Sequence, residues 1–386
     1  MLFLQLIIFY MIYAFVIVLT SFLGLSSYVY IRGLQALPPV LWLKIIYSII
    51  FLGSMAAFFV KMFLGDNMRE ATAVILSAIG FTWVIALIYF AIFVLGLDII
   101  RLLNRFFDFY PVYVKDNYQF VKSVLLIFGV LSITSLLAYG NYKFNNPEIT
   151  TVVVNVNKPL PGGKMKLVMA SDIHLSSYIN KHDLKKYVNL INSQNGDIIL
   201  LAGDIADRDP HSLINQNMKE ELSSLYAPNG VYAITGNHEF YGRNREKIYD
   251  YIKESGITFL KDSTVLVANA LYIAGRDDLT NRNRASLDSI LQNTDKKLPL
   301  ILMDHQPKDL NDALKNGVDL QVSGHTHNGQ FWPGNLLVKL FFEHSYGYFK
   351  KGNTQYYVSS GLGLWGPKYR IGTKSEVVVI NLISIK

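Results

Sequence analysis

The chain has 386 residues, enough for two or three domains, with a formal charge of +7 and no cysteine. The missing thiols exclude disulfides, thiolate zinc sites and cysteine nucleophiles. The positive excess is spread out: residues 1–150 hold nine Lys/Arg against six Asp/Glu, and no basic run follows, so no nucleic-acid partner is expected.

The first 150 residues are dominated by apolar runs. No charged residue stands between Leu2 and Ile31. Further apolar runs follow, and a bilayer span needs about 20 such residues. Four transmembrane helices are expected within residues 1–144, at about 3–25, 41–64, 71–97 and 123–140. Lys44 and Lys61 sit near the ends of the second, where they can snorkel. A cleaved signal peptide does not fit the first run: it lacks a basic leading segment and an A-x-A-like site, and more spans follow. The first and third connections hold Arg32, Lys44, Arg101, Arg105, Lys115 and Lys122, whereas the second holds Lys61 and Arg69. The positive-inside rule then puts those two connections in the cytoplasm, and both termini and the C-terminal domain outside. The expected setting is a bacterial cytoplasmic membrane. No span carries a central charge, which favours an anchor over a transport or sensing role. A polar cavity between the helices would reverse that preference.

From about residue 145 the pattern changes to short apolar strands and amphipathic helices, so residues 145–386 are expected to form an α/β sandwich. Buried strands are predicted at KLVMA (166–170), DIILLA (197–202), GVYAIT (230–235), LYIAG (271–275), LPLILM (298–303) and VDLQVS (318–323). HDLKKYVNLINSQ, after the first, places Leu184, Val188 and Ile191 on one helical face. Five of these strands end in polar, metal-capable groups. SDIHL brings Asp172 and His174, GDIAD brings Asp204, and GNHEF brings Asn237 and His238. DHQP brings His305, and GHTHNGQ brings His325 and His327. Five of the eight histidines are in these positions. Each motif alone reads as an ordinary turn. Together, at the strand ends where open α/β sheets bind ligands, they read as one site.

The ordered set D-x-H, G-D, G-N-H-E, lone H and G-H-x-H resembles the calcineurin-like metallophosphoesterase family. It covers about residues 166–330, and GHTHNGQ with VSSGLGLWGPKYRIG resembles its bacterial membrane-associated branch. Asn328 stands where that branch more often has a second glycine, which bears on loop shape and leaves the ligand types unchanged. The resemblance implies a hydrolase of phosphate esters or diphosphates with two divalent ions; mixed oxygen and nitrogen donors suit Mn, Fe or Zn. It implies Asp172, His174 and His327 on one ion, Asn237, His305 and His325 on the other, and Asp204 between them. Such ions activate a water and neutralise phosphate oxygens. By the same resemblance His238 contacts the phosphate or acts as general acid, with Glu239 a candidate to orient it. Arg276 reads as a salt-bridge residue rather than a phosphate ligand, and His182, His211 and His344 as surface residues. The rival function is a catalytically inactive, metal-binding membrane scaffold or receptor, against which the complete ligand set argues.

The segment FWPGNLLVKLFFEHSYGYF (331–349) admits two readings. One is a packed strand–helix connection, which is the one expected. The other is a short helix touching the membrane through Trp332 and Phe341; it would point to a phospholipid, glycolipid or lipid-linked substrate. No sequence feature sets the oligomeric state.

Overall fold

The computed structural model describes residues 2–385 except 66, 67, 209 and 243. It divides into two compact units, Met1–Ala138 and Tyr139–Lys386.

The first unit is built from the helices Leu2–Ala36, Leu41–Leu64 and Glu70–Phe107, the short helix Val112–Asp116, and most of Tyr118–Asn145. Four of these are long and apolar enough to cross a membrane. They run beyond the apolar stretches that announce them. The third continues past Leu97 and takes in Asp98, whose carboxylate accepts from Tyr28 (2.8 Å) and pairs with Arg32 (2.6 Å) and Arg101 (3.3 Å). Pairing removes the cost of holding that charge on an apolar helix. Trp83 packs edge-on against Phe22 and Phe51, with Val29 and Leu87 buried beside it. A cavity of about 740 Å³ in this unit is lined mainly by apolar side chains such as Ile46, Phe90 and Leu125, with Arg32, Asp98, Arg101 and Lys122 as its charged members. It is not the polar cavity that would favour transport.

The second unit starts with the last turns of the fourth apolar helix, Tyr139–Asn145. Its strands are β1 (Glu148–Val156), β2 (Lys164–Ala170), β3 (Ile198–Leu201), β4 (Val231–Ala233), β5 (Thr258–Phe259), β6 (Ser263–Val267), β7 (Leu271–Gly275), β8 (Leu300–Met303), β9 (Leu320–Ser323), β10 (Gly347–Lys351), β11 (Thr354–Val358) and β12 (Glu376–Ser384). They form two six-stranded sheets, ordered β1-β12-β2-β3-β4-β5 and β10-β11-β9-β8-β7-β6. The runs β2-β3-β4-β5 and β11-β9-β8-β7 are parallel.

Side-chain alternation explains the layers. Leu167, Met169, Ile198 and Leu200 of the first sheet meet Ile301, Met303, Leu320 and Val322 of the second in a shared core. Val168, Ala170, Ile199 and Leu201 point the other way, against helices that include Lys181–Asn192. Leu300 and Leu302 likewise meet Leu287 and Leu310 on the far face of the second sheet. The result is helix, sheet, sheet, helix, as the α/β sandwich reading expects. All six predicted strands are present. The helix Lys181–Asn192 buries Leu184, Val188 and Ile191, and a reciprocal cap between Asn180 and Asp183 starts it.

Candidate metal centre

The loops after β2, β3, β4, β8 and β9 deliver the donor residues to one edge, and both sheets contribute. The backbone there is unusual. Asp172 (φ 54°), His174 (54°), Asp204 (51°), His325 (70°) and His327 (50°) all lie in the left-handed region, which non-glycine residues avoid. Neighbouring loops hold them in it. Asp172 N–H donates to Gly203 O (3.0 Å), His174 N–H to Asp204 O (2.9 Å) and Gly324 N–H to His305 O (2.9 Å). Strain held in this way is common where side chains must be aimed at a ligand. Two glycines allow the loops to approach: a Cβ on Gly324 would strike the Asp172 carboxylate, and one on Gly236 would strike that of Asp204.

Three groups of donors converge: Asp172, His174 and His327; His174, Asp204 and His238; Asp172, Asp204 and His305. All of these side chains are buried. His174 Nε2 faces His327 Nε2 at 3.2 Å, and Asp172 Oδ1 lies 3.5 Å from His327 Nε2. Two nitrogens sharing one tetrahedral ion at about 2.1 Å stand roughly 3.4 Å apart, close to this spacing. His305 Nε2 lies 3.1 Å from Asp204 Oδ2 and 3.9 Å from Asp172 Oδ1. Asp172 therefore reaches both the His174/His327 pair and His305. His325 and Asn237 fall outside the three groups and meet each other, with Nδ1 2.6 Å from Oδ1, beside the His305 ring at 5.4 Å.

The donor set fits divalent metal. His305 Nδ1 donates to Ala202 O (2.7 Å), which turns Nε2 toward the carboxylates of Asp204 and Asp172. A ligating histidine is usually oriented in this way. Nδ1 of His174 and Nδ1 of His327, away from the shared Nε2 point, are buried with no hydrogen-bond partner among the described residues. Burial pushes His174 down to about 3 and holds His327 well below the usual histidine range, so both rings are neutral, the form that binds metal. Burial also takes His325 down to about 4. Burial alone would lower His305, but the Asp204 charge raises it well above the ordinary value. Asp204 itself is held well below the carboxylate range by His305 and His174 against its burial. The buried carboxylates of Asp204 and Asp172 thus favour positive charge where the donors converge.

Around the donors lies a supporting layer. Asp204 Oδ1 accepts from His238 N–H (2.8 Å), and the His238 ring stands 4.4 Å from that of His174. His238 Nδ1 meets Asp207 Oδ1 at 2.7 Å. Burial would lower His238, but Asp207, Asp204 and Glu239 together outweigh it and hold the imidazole above its ordinary value. The residue orienting His238 is therefore Asp207, not Glu239. The Glu239 carboxylate accepts instead from Ala206 N–H (2.9 Å) and Gly236 N–H (2.8 Å), tying two site loops together, and burial raises it to about 7. The signal for Asp207 was present in GDIAD, three residues past Asp204. Arg370 is the other missed residue. Fully buried, it donates to the carbonyls of His327 (3.1 Å), Gly361 (3.1 Å) and Gly363 (2.6 Å) and so fixes the second histidine of the His-x-His pair. Arg276 pairs with Asp304 (3.3 Å), next to His305, as a buried salt bridge. His344 stacks on Phe349 and donates to or accepts from no donor group of the site.

Comparison with known proteins follows the same outline. The sequence description of the calcineurin-like phosphoesterases matches residues 165–329. An uncharacterised metallophosphoesterase of Campylobacter jejuni is 34% identical over 263 residues, covering 66% of this chain and 68% of that protein. A transmembrane protein with a metallophosphoesterase domain from Danio rerio is 28% identical over 298 residues, covering 73% of this chain and 67% of that protein. Among solved structures, a dimetal phosphatase from Danio rerio aligns with TM-score 0.38 and 12% identity, over 56% of this chain and 98% of that one.

Proposed function

This chain belongs to the calcineurin-like phosphoesterases, and from that premise we propose that it hydrolyses phosphate-ester or diphosphate bonds with two divalent ions, Mn, Fe or Zn. The working site is anchored by the four apolar helices in a bacterial cytoplasmic membrane, with the catalytic unit on the outer side. The observation that carries the reading is the convergence of buried Asp172, His174, Asp204, His305 and His327 from strand ends of both sheets.

Asp172, His174 and His327 would hold one ion and Asn237, His305 and His325 the other, with Asp204 placed to contribute to either. When bound, such ions supply an activated water and offset the phosphate charge. The chain supplies the proton. Asp207 occupies Nδ1 of His238, so the opposite ring nitrogen is left to protonate the leaving oxygen. Holding that imidazole above its ordinary value favours its protonated form. No side chain acts as nucleophile, so no covalent intermediate forms. The substrate class this reading favours is a lipid or lipid-linked phosphate, which a membrane anchor brings within reach of the site.

The test uses the full chain in detergent, stripped of metal and resupplied with Mn, Zn or Mg, on a chromogenic phosphodiester and the matching monoester. His325→Ala is measured in parallel. Metal-restored turnover that the variant lacks is the expected result. Metal binding without turnover of either ester or of a phospholipid panel would favour the scaffold reading instead.

A further inference from the structure

The helix Gly334–Phe341 departs from the packed connection that the sequence leads one to expect: none of its residues is buried. Leu336, Leu337, Leu340 and Phe341 are 51, 57, 77 and 77% exposed. Spaced at i, i+1, i+4 and i+5, they form one continuous stripe. Trp332, just before the helix, and Trp365 are 42 and 49% exposed, and Gln330 joins their loops by donating to Trp365 O (3.1 Å). A contiguous apolar surface of this kind marks a binding site, whereas scattered exposed leucines do not.

Three observations within the second unit identify the occupant. First, the helix is tied to the end of the fourth apolar helix. Trp332 N–H donates to Ile371 O (2.7 Å), Arg370 N–H donates to Gly140 O (2.9 Å), and Asn141 donates to Lys368 O (2.9 Å). Second, the stripe is flanked by exposed Lys339 and by two tryptophans, the residue types that sit at a headgroup boundary. Third, the opposite side of the helix is polar. Asn335, Lys339 and Phe342, at i, i+4 and i+7, line a cavity of about 450 Å³ with Asn328, Glu343 and His344. Asn335 Oδ1 is buried there with no hydrogen-bond partner among the described residues. This cavity adjoins the donor loop: Phe342 meets the His325 ring at 5.8 Å, and Thr326 donates to Ser345 O (2.6 Å).

We infer that the helix Gly334–Phe341 lies in the headgroup layer of a lipid bilayer, with its leucine–phenylalanine stripe among the acyl chains and its polar side offering a headgroup to the metal centre. The inference rests on the reading of the chain as membrane-anchored. It does not depend on catalysis.

The absence of cysteine makes a clean test available. Leu340→Cys in the full chain carries a nitroxide, and the protein is reconstituted in phosphatidylcholine vesicles with about one quarter phosphatidylglycerol. Spin-label accessibility to oxygen and to a water-soluble nickel complex then reports immersion. Leu131→Cys, on an exposed position of the fourth apolar helix, is the lipid reference, and Tyr226→Cys, exposed in the second unit, is the water reference. Leu340 should report lipid, as Leu131 does. Leu340 in water with Leu131 in lipid would overturn the inference alone, whereas Leu131 in water would overturn the anchoring beneath it. In parallel, Leu340→Ser with Phe341→Ser should slow turnover of a vesicle-embedded phosphate ester by about tenfold and leave a soluble ester unchanged. Equal loss on both esters would count against the inference.

Discussion

The donor cluster and the Gly334–Phe341 helix break the usual rule of burial in opposite directions. One buries two carboxylates and a ring of imidazoles where apolar side chains would be expected. The other exposes three leucines and a phenylalanine where lysines and glutamates would be expected. A buried polar group and an exposed apolar patch are the informative departures in a folded chain. Each is costly unless something absent from the bare polypeptide completes it: cations for the first, lipid for the second. The cost also falls differently. The cluster is held by left-handed backbone, close glycine contacts and the buried Arg370, so its geometry is built before any ligand arrives. The helix is held only through its two ends and its polar side, so its substitution should scarcely disturb the fold.

That contrast predicts effects of graded size. The largest belongs to Asp204→Asn, which removes charge from two of the converging groups. Hydrolysis should fall by more than the roughly 10–100-fold typical of outer partners, with metal lost in step. Retained metal with full activity would break the account of the cluster. His238→Gln should lower turnover by about 10²–10⁴ while metal content stays unchanged, since the residue serves as proton donor. Gly324→Ala should leave the circular-dichroism spectrum intact and reduce metal content, because the added methyl displaces Asp172.

Asp207→Asn should have a smaller effect, with a distinctive pH signature. Asp207 raises His238 above its ordinary value, so its removal lowers that pKa. Activity that needs protonated His238 is lost as pH rises through the pKa, so the alkaline limb of the rate profile should move to lower pH. An unmoved limb would assign the proton to another group. The smallest effect is expected for Leu340→Ser with Phe341→Ser in detergent, within about 0.5 kcal/mol of the parent in unfolding free energy from denaturant titration, as for ordinary surface changes. A large destabilisation would mean that the stripe serves the fold.

The sequence showed most of the residues that converge because parallel strands buried on both faces read as apolar runs, and the polar residue after each run stands out. It showed less where partners lie far apart in the chain. β1 pairs with β12 from Glu148↔Glu376 onward, a contact that local pattern cannot announce, and β5 is only two residues long. Sequence adjacency pointed to Glu239 as the partner of His238, but the turn folds that carboxylate back onto the amides of Gly236 and Ala206, and Asp207 arrives from the neighbouring loop. For residues 331–349 the pattern was ambiguous for a physical reason. A helix packed on a core and a helix lying on a bilayer need the same apolar stripe.

The most direct test is the metal content of the purified full chain, measured by elemental mass spectrometry beside Asp204→Asn and His327→Ala. The account predicts close to two divalent ions per chain in the parent and a clear loss in both variants. A parent that holds no divalent metal after incubation with Mn, Fe or Zn, while remaining folded, would contradict it.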